Sequence, residues 1–193
     1  EILDLFIACA GPNHLFHGRG DGTFQDVTQT AGVGGGPFVS GTALFLDADH
    51  DADLDILVCN VERVNGSGPM ANQLWNNNAD GTFTDLAVDT ALAADEGGTA
   101  GILCGDLDGD RDQDLVLLRR GRPTLVLVND LLGQFRPAGE IPESAADRGG
   151  VLQDFNGDGL ADLLALGGDP PLPALFLGDG QAGFRPVPGF AAV

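Results

Sequence analysis

The chain has 193 residues, 43% of them hydrophobic, enough for one domain with a substantial core and too few to expect two. Its 29 acids against 9 bases give a formal net charge of −20, so its surface repels phosphate: nucleic acid and anionic lipid are excluded as partners and cations are favoured. No run approaches the roughly 20 apolar residues of a membrane span, so no direct membrane insertion is expected.

The 30 glycines and 11 prolines, beside one tryptophan and no tyrosine, mark many tight turns between short apolar runs, the habit of all-β folds. Helical periodicity is hard to find. In chain order, Asp4 followed by LFIA reads as the end of an Asp-rich loop entering a strand, and NHLFHGRGDGTFQDV reads as a hairpin about an Asn/Asp/Gly-rich turn. TALFLDA is the next strand; it leads into DADHDADLD at 47–55 and then ILVC. VERVNGSGPMA at 61–71 reads as an exposed insertion and holds a glycosylation acceptor at Asn65. A second hairpin, NQLWNNNADGTFTDL, follows. GILCGDL then leads into DLDGDRDQD at 106–114 and LVLL, with a weaker hairpin in TLVLVNDLLGQFRP. GGVLQDF leads into DFNGDGLAD at 154–162 and LLAL, and ALFLGDGQAGFRP is the last hairpin.

These landmarks share one period of about 50 residues, in the range of propellers and solenoids. The closing acids Asp4, Asp55, Asp114 and Asp162 are 51, 59 and 48 residues apart, and Phe24, Phe83, Phe135 and Phe184 keep pace at 59, 52 and 49. Each unit therefore reads as strand, Asp loop, strand, turn, strand, turn, strand: a four-stranded antiparallel propeller blade. The expected limits of the four blades are about 1–36, 37–96, 97–144 and 145–193, all in a single domain. Small residues at the Gly- and Ala-rich strand ends suit close stacking of one sheet on the next. The first unit opens one strand short and the last residues head toward a further blade. The expectation is an open run of about four blades, completed by others upstream and downstream or from another chain.

The acids come in bursts between apolar runs, so the charge is localised and calls for a neutralising ligand. A nine-residue loop with acids at positions 1, 3, 5 and 9 can wrap several carboxylates round calcium, a hard cation that takes 6 to 8 oxygen ligands. Position 7 holds Asp53, Asp112 and Leu160, as expected of a ligand supplied by the backbone carbonyl. An EF-hand would need Glu at position 12, where Val58, Leu117 and Ala165 stand. Dockerin-type loops lead into helices, whereas these lead into β-prone runs, and magnesium prefers fewer carboxylates and more retained water. The third loop has Gly157 and Gly159 at positions 4 and 6, where positive φ is useful. The first has His50 and Ala52 there and the second has Arg111 at position 6, so looser or weaker sites are expected in those two.

Other motifs carry less. Arg19-Gly20-Asp21 spells an adhesion tripeptide but sits where the next unit has the turn residues Asn78-Ala79-Asp80. His14, His17 and His50 show no transition-metal or nucleophile pattern. Cys9 and Cys59 lie in apolar runs that suit buried thiols, and three cysteines give no basis for a disulfide. No carboxylate pair stands apart from the loops as a glycosidase site would, so catalysis is not expected. The alternative is a polysaccharide lyase or hydrolase working from a central channel, and a third reading is a structural spacer.

In the Asp loops and the Phe hairpins the chain resembles the FG-GAP or VCBS repeats of integrin-α-type propellers, and the pairing of GPNHLFHGRGDGTFQDVTQTAGV with a following Asp loop is most like the ASPIC/UnbV branch. The resemblance implies a seven- or eight-bladed propeller, three calcium ions in the blade loops, and protein or glycan recognition at the cell surface by a secreted module. It also implies the calcium ligands. In the first loop these are Asp47, Asp49, Asp51, Asp53 through its carbonyl, and Asp55; in the second, Asp106, Asp108, Asp110, Asp112 likewise, and Asp114; in the third, Asp154, Asn156, Asp158, Leu160 by carbonyl, and Asp162.

Overall fold

The structure, a computed structural model, describes residues 2–64, 71–93, 98–130, 133–141, 148–167 and 172–190. The acceptor site at Asn65 lies outside them. The described chain is all-β and forms four antiparallel sheets, each a simple meander. The first has three strands, β1 (Leu5–Ile7), β2 (His14–Gly18) and β3 (Phe24–Asp26). The second has β4 (Phe38–Leu46), β5 (Asp55–Arg63), β6 (Gln73–Asn77) and β7 (Phe83–Asp85). The third has β8 (Thr99–Gly105), β9 (Asp114–Arg119), β10 (Thr124–Asn129) and β11 (Phe135–Ile141). The fourth has β12 (Gly149–Gln153), β13 (Asp162–Gly167), β14 (Leu172–Gly178) and β15 (Phe184–Pro186).

Both repeat landmarks sit where the period put them. Asp55, Asp114 and Asp162 each begin the second strand of a sheet, and Phe24, Phe83, Phe135 and Phe184 each begin a last strand. The hairpins close alike: the amides of Arg19, Asn78 and Asp179 donate to the carbonyls of Thr23, Thr82 and Gly183, each at 3.0 Å. The adhesion tripeptide is thus a turn. Asp21 Oδ1 accepts from the Thr23 amide and hydroxyl, as Asp80 Oδ1 does from Thr82, and the Thr23 hydroxyl, followed by its amide, draws the Asp21 carboxyl below its usual range.

The chain forms two compact units, one of residues 1–47 with 51–96, the other of 97–193 with Ala48–His50. In the first, Leu15, Val33, Ile56 and Val58 form a core with Trp75 and Phe83 packed against it. In the second, Val116, Leu118, Val126 and Val128 of the third sheet pack on Leu163, Ala165 and Phe176 of the fourth. All six residues of β9 and all six of β10 are buried, which is why DLVLLR and TLVLVN read as unbroken runs with no polar face. A Cβ on Gly150 would come within 3.2 Å of Leu103 Cδ1, so a small residue lets the fourth sheet stack closely on the third.

Helical periodicity is hard to find in the sequence, yet Thr28–Ala31 forms one α-turn, α1, and Ala87–Asp89 one 3₁₀ turn. Both follow a last strand, and Asp26 Oδ1 and Asp85 Oδ1 accept the amides of Thr28 and Ala87, each at 3.0 Å. Four residues are too short to leave a periodic signal.

None of the three cysteines forms a disulfide; Cys59 is buried, Cys9 half-buried and Cys104 exposed, so the expectation of buried thiols holds fully only for Cys59. Native-state labelling with a maleimide is expected to modify Cys104 and to spare Cys59 until the chain unfolds. Leu163→Ala, at a fully buried position of the second core, is expected to cost about 2–5 kcal/mol in a urea titration of the ion-free protein.

Candidate metal centres

The three Asp loops share one internal bonding scheme in spite of their different sequences. The position-1 carboxylate accepts the position-6 amide: Ala52 to Asp47 Oδ2 at 3.2 Å, Arg111 to Asp106 Oδ2 at 3.2 Å, and Gly159 to Asp154 Oδ2 at 2.8 Å. The position-5 carboxylate accepts the position-7 amide at 2.9 Å in every loop: Asp53 to Asp51, Asp112 to Asp110, and Leu160 to Asp158. These bonds curl the backbone of each loop back on its first residue.

The closing aspartate is tied in two directions. Asp114 is fully buried; its Oδ2 accepts the position-2 amide of Leu107 at 2.8 Å and its Oδ1 the Asn129 amide of β10 at 2.9 Å. Asp162 repeats this with Phe155 at 2.9 Å and Gly178 at 3.0 Å, and Asp55 Oδ1 accepts from Asn77 at 2.8 Å. The exposed Asp4 takes the Gly18 amide at 3.1 Å, the mark of the same motif in the first sheet. The sequence reading assigned position 9 to ion binding and missed this bracing of the strand; the only signal for it was an Asp always set just before an apolar run.

The convergence is concrete in two loops. One carboxylate oxygen from each of Asp47, Asp49 and Asp51 lies within 4.8 Å of the others, and the same holds for Asp106, Asp108 and Asp114. In the third loop Asn156 Nδ2 donates to Asp158 Oδ2 at 2.8 Å, and Asn156 Oδ1 accepts the Asp158 amide at 2.8 Å, which draws positions 3 and 5 together. The position-7 side chains do not share an environment: Asp112 is buried while Asp53 and Leu160 are half-buried.

Electrostatics separate the loops. Burial, followed by the charges of Asp110 and Asp106, pushes the Asp108 carboxyl up. Burial pushes Asp114 up to about 6 against the lowering effect of its Asn129 and Leu107 hydrogen bonds. Asp154 goes the other way, held down chiefly by the amides of Gly159 and Gly157. The second loop thus crowds negative charge in a partly buried place, where a cation removes the penalty.

The donor set fits such an ion. Asp47 Oδ1, in the first of these clusters, is a buried oxygen with no hydrogen-bond donor, an arrangement that is costly in the absence of a positive partner. All the converging groups are hard oxygens, the chemistry of calcium rather than of zinc or copper.

Backbone strain differs as well. Positions 4 and 6 have positive φ in every loop, at 61° and 73° for His50 and Ala52, 86° and 79° for Gly109 and Arg111, and 81° and 86° for Gly157 and Gly159. A side chain there costs about 1–2 kcal/mol. Ala52→Gly, which removes one such strain at an exposed position, is expected to raise stability by about 0.5–1 kcal/mol in the ion-free protein, read as a higher melting temperature.

Comparison with known proteins assigns a family to these repeats. The FG-GAP-like repeat family model matches residues 1–58 and 106–165, stretches that contain the first two loops whole and the third through its closing Asp162. Cartilage acidic protein 1 of Homo sapiens is 28% identical over 187 residues, which cover 91% of this chain and 27% of that protein. The protein of the same name from Mus musculus is 28% identical over 188 residues (90% of this chain, 28% of that protein), and the one from Xenopus tropicalis 26% over 189 (91% and 28%). The chain therefore spans less than a third of the length of these relatives. With both halves of its repeat matched by one family model, the chain belongs to the FG-GAP-like repeat family.

Proposed function

We propose that this chain is a calcium-binding recognition module that works outside the cell, each sheet being one propeller blade with limits near 1–36, 37–96, 97–144 and 145–193. The observation that carries the reading is the shared bonding of three in-phase loops, with carboxylate oxygens brought together in the first two and buried Asp47 Oδ1 left without a donor. The ions would be held by positions 1, 3, 5 and 9 together with the position-7 carbonyls of Asp53, Asp112 and Leu160. They would supply charge neutralisation and hold the loops; the rest of the chain supplies the rigid sheets that display the surface.

The partner is a protein or a glycan at the cell surface, bound without catalysis. The net charge of −20 favours a cationic or neutral partner over an anionic one. Extracellular calcium is abundant enough to fill sites of modest affinity, and the relatives bear the name cartilage acidic protein 1. No helix among the described residues is long and apolar enough to cross a membrane.

Metal analysis after gel filtration in calcium is expected to give three ions per chain, and Asp158→Ala two. Because an ion that binds only the native state stabilises it by about 2.7 kcal/mol at a hundredfold excess over its Kd, chelator is expected to lower the melting temperature by several degrees. A protein that holds no calcium and melts identically with and without chelator would refute the reading.

A further inference from the structure

The middle of the first loop does not rest on its own sheet alone. The Ala48 carbonyl accepts from the Asn129 side-chain amide at 2.8 Å and from the Gly133 amide at 3.0 Å, and His50 Nε2 lies 2.9 Å from Asp112 Oδ1. The backbone part of this seat is general: the Leu107 carbonyl, at the same place in the second loop, accepts the Ala182 amide at 3.0 Å. The side-chain part is not. His50 holds position 4 of the first loop, where the others have Gly109 and Gly157, and Asp112 holds position 7 of the second loop, where the third has Leu160. A glycine cannot reach out and a leucine cannot receive, so the second and third loops have no counterpart of this pair.

The pair joins the groups that matter in each loop. Asp112 is 2% exposed, its amide donates to Asp110 Oδ1, and its carbonyl is the position-7 ligand assigned above. An ion in the second loop that fixes Asp110 and the Asp112 carbonyl fixes the root of the Asp112 side chain too. His50, in turn, stands at φ 61° between Asp49 and Asp51, in the one loop with no glycine. Holding its ring holds a strained stretch of backbone in the shape that presents those two carboxylates. Ordering that a first ligand has already completed need not be repeated for the second.

We infer that the His50–Asp112 pair couples the first two loops, so that they fill with calcium cooperatively while the third fills on its own. The coupling is reciprocal, since an ion that strengthens its neighbour is strengthened equally in return. This rests on the calcium reading above.

The test is a calcium titration of the full chain followed by NMR, reading the amides of Ala52, Gly109 and Gly159 as reporters of the three loops. In the unaltered protein, Ala52 and Gly109 are expected to shift together along a curve steeper than a single-site isotherm, and Gly159 along a single-site curve. Emptying the second loop with Asp108→Ala and Asp110→Ala is expected to raise the Ala52 midpoint by about 5-fold or more; Asp158→Ala is expected to leave it in place. In His50→Gly or Asp112→Leu, which import residues already present at those positions in sister loops, emptying the second loop is expected to leave the first unmoved. A rise that persists undiminished in both variants is a long-range charge effect and overturns the coupling, as do single-site curves at Ala52 and Gly109 in the unaltered protein. Absence of any calcium uptake would overturn the calcium reading along with it, whereas independent uptake overturns the coupling alone.

Discussion

The repeat depends on a buried charge. Taking a carboxylate out of water is tolerable only where hydrogen bonds replace what it lost, and at Asp114 and Asp162 both oxygens are given to main-chain amides, one in the loop and one on the neighbouring strand. That double tie fixes the loop against the sheet to within a hydrogen bond's length. Positions 1, 3 and 5 are then no longer free to swing apart, although like charges would drive them to. The compensation is incomplete, since burial still pushes the Asp114 carboxyl up to about 6. What remains at Asp114 is an unmet demand for positive charge.

Much of this was legible in the sequence because the constraint is local. An Asp that must stand directly before a buried strand appears as Asp55-Ile56, Asp114-Leu115 and Asp162-Leu163, and a Phe that must begin the last strand appears after a turn rich in Asn, Asp and Gly. Both follow the chain in register, so self-alignment exposes them. Less plain was how far apart the loops stand in charge: the amides that hold Asp154 down depend on backbone shape, and a string of similar Asp-rich letters does not display it.

What the sequence hid is long-range or brief. Nothing in DADHDADLD and DLDGDRDQD announces that His50 meets Asp112, because position 7 looks interchangeable when one loop has Asp and another Leu. The contact is decided by packing between residues more than sixty apart. Gly150 looked like one small residue among many, and only the approach of Leu103 shows which sheet it lets in. The turns at Thr28–Ala31 and Ala87–Asp89 were invisible for the opposite reason, being shorter than any period that could reveal them.

The first loop keeps the shared bonding with no glycine at all, which shows that the hydrogen bonds dictate the backbone rather than the reverse. Positive φ at His50 and Ala52 is strain that the network imposes. Positions 4 and 7 are therefore released from deciding loop shape and can serve the loop's surroundings instead. At position 7 the third loop sets Leu160 against Gly180, where a Cβ would come within 3.0 Å of its side chain. The second sets Asp112 against His50. In a repeat array stability is a sum of unit terms and nearest-neighbour terms. Here the unit term is written in the conserved geometry of positions 1, 5 and 9, and the neighbour term in positions that look, loop by loop, as though they were free to vary.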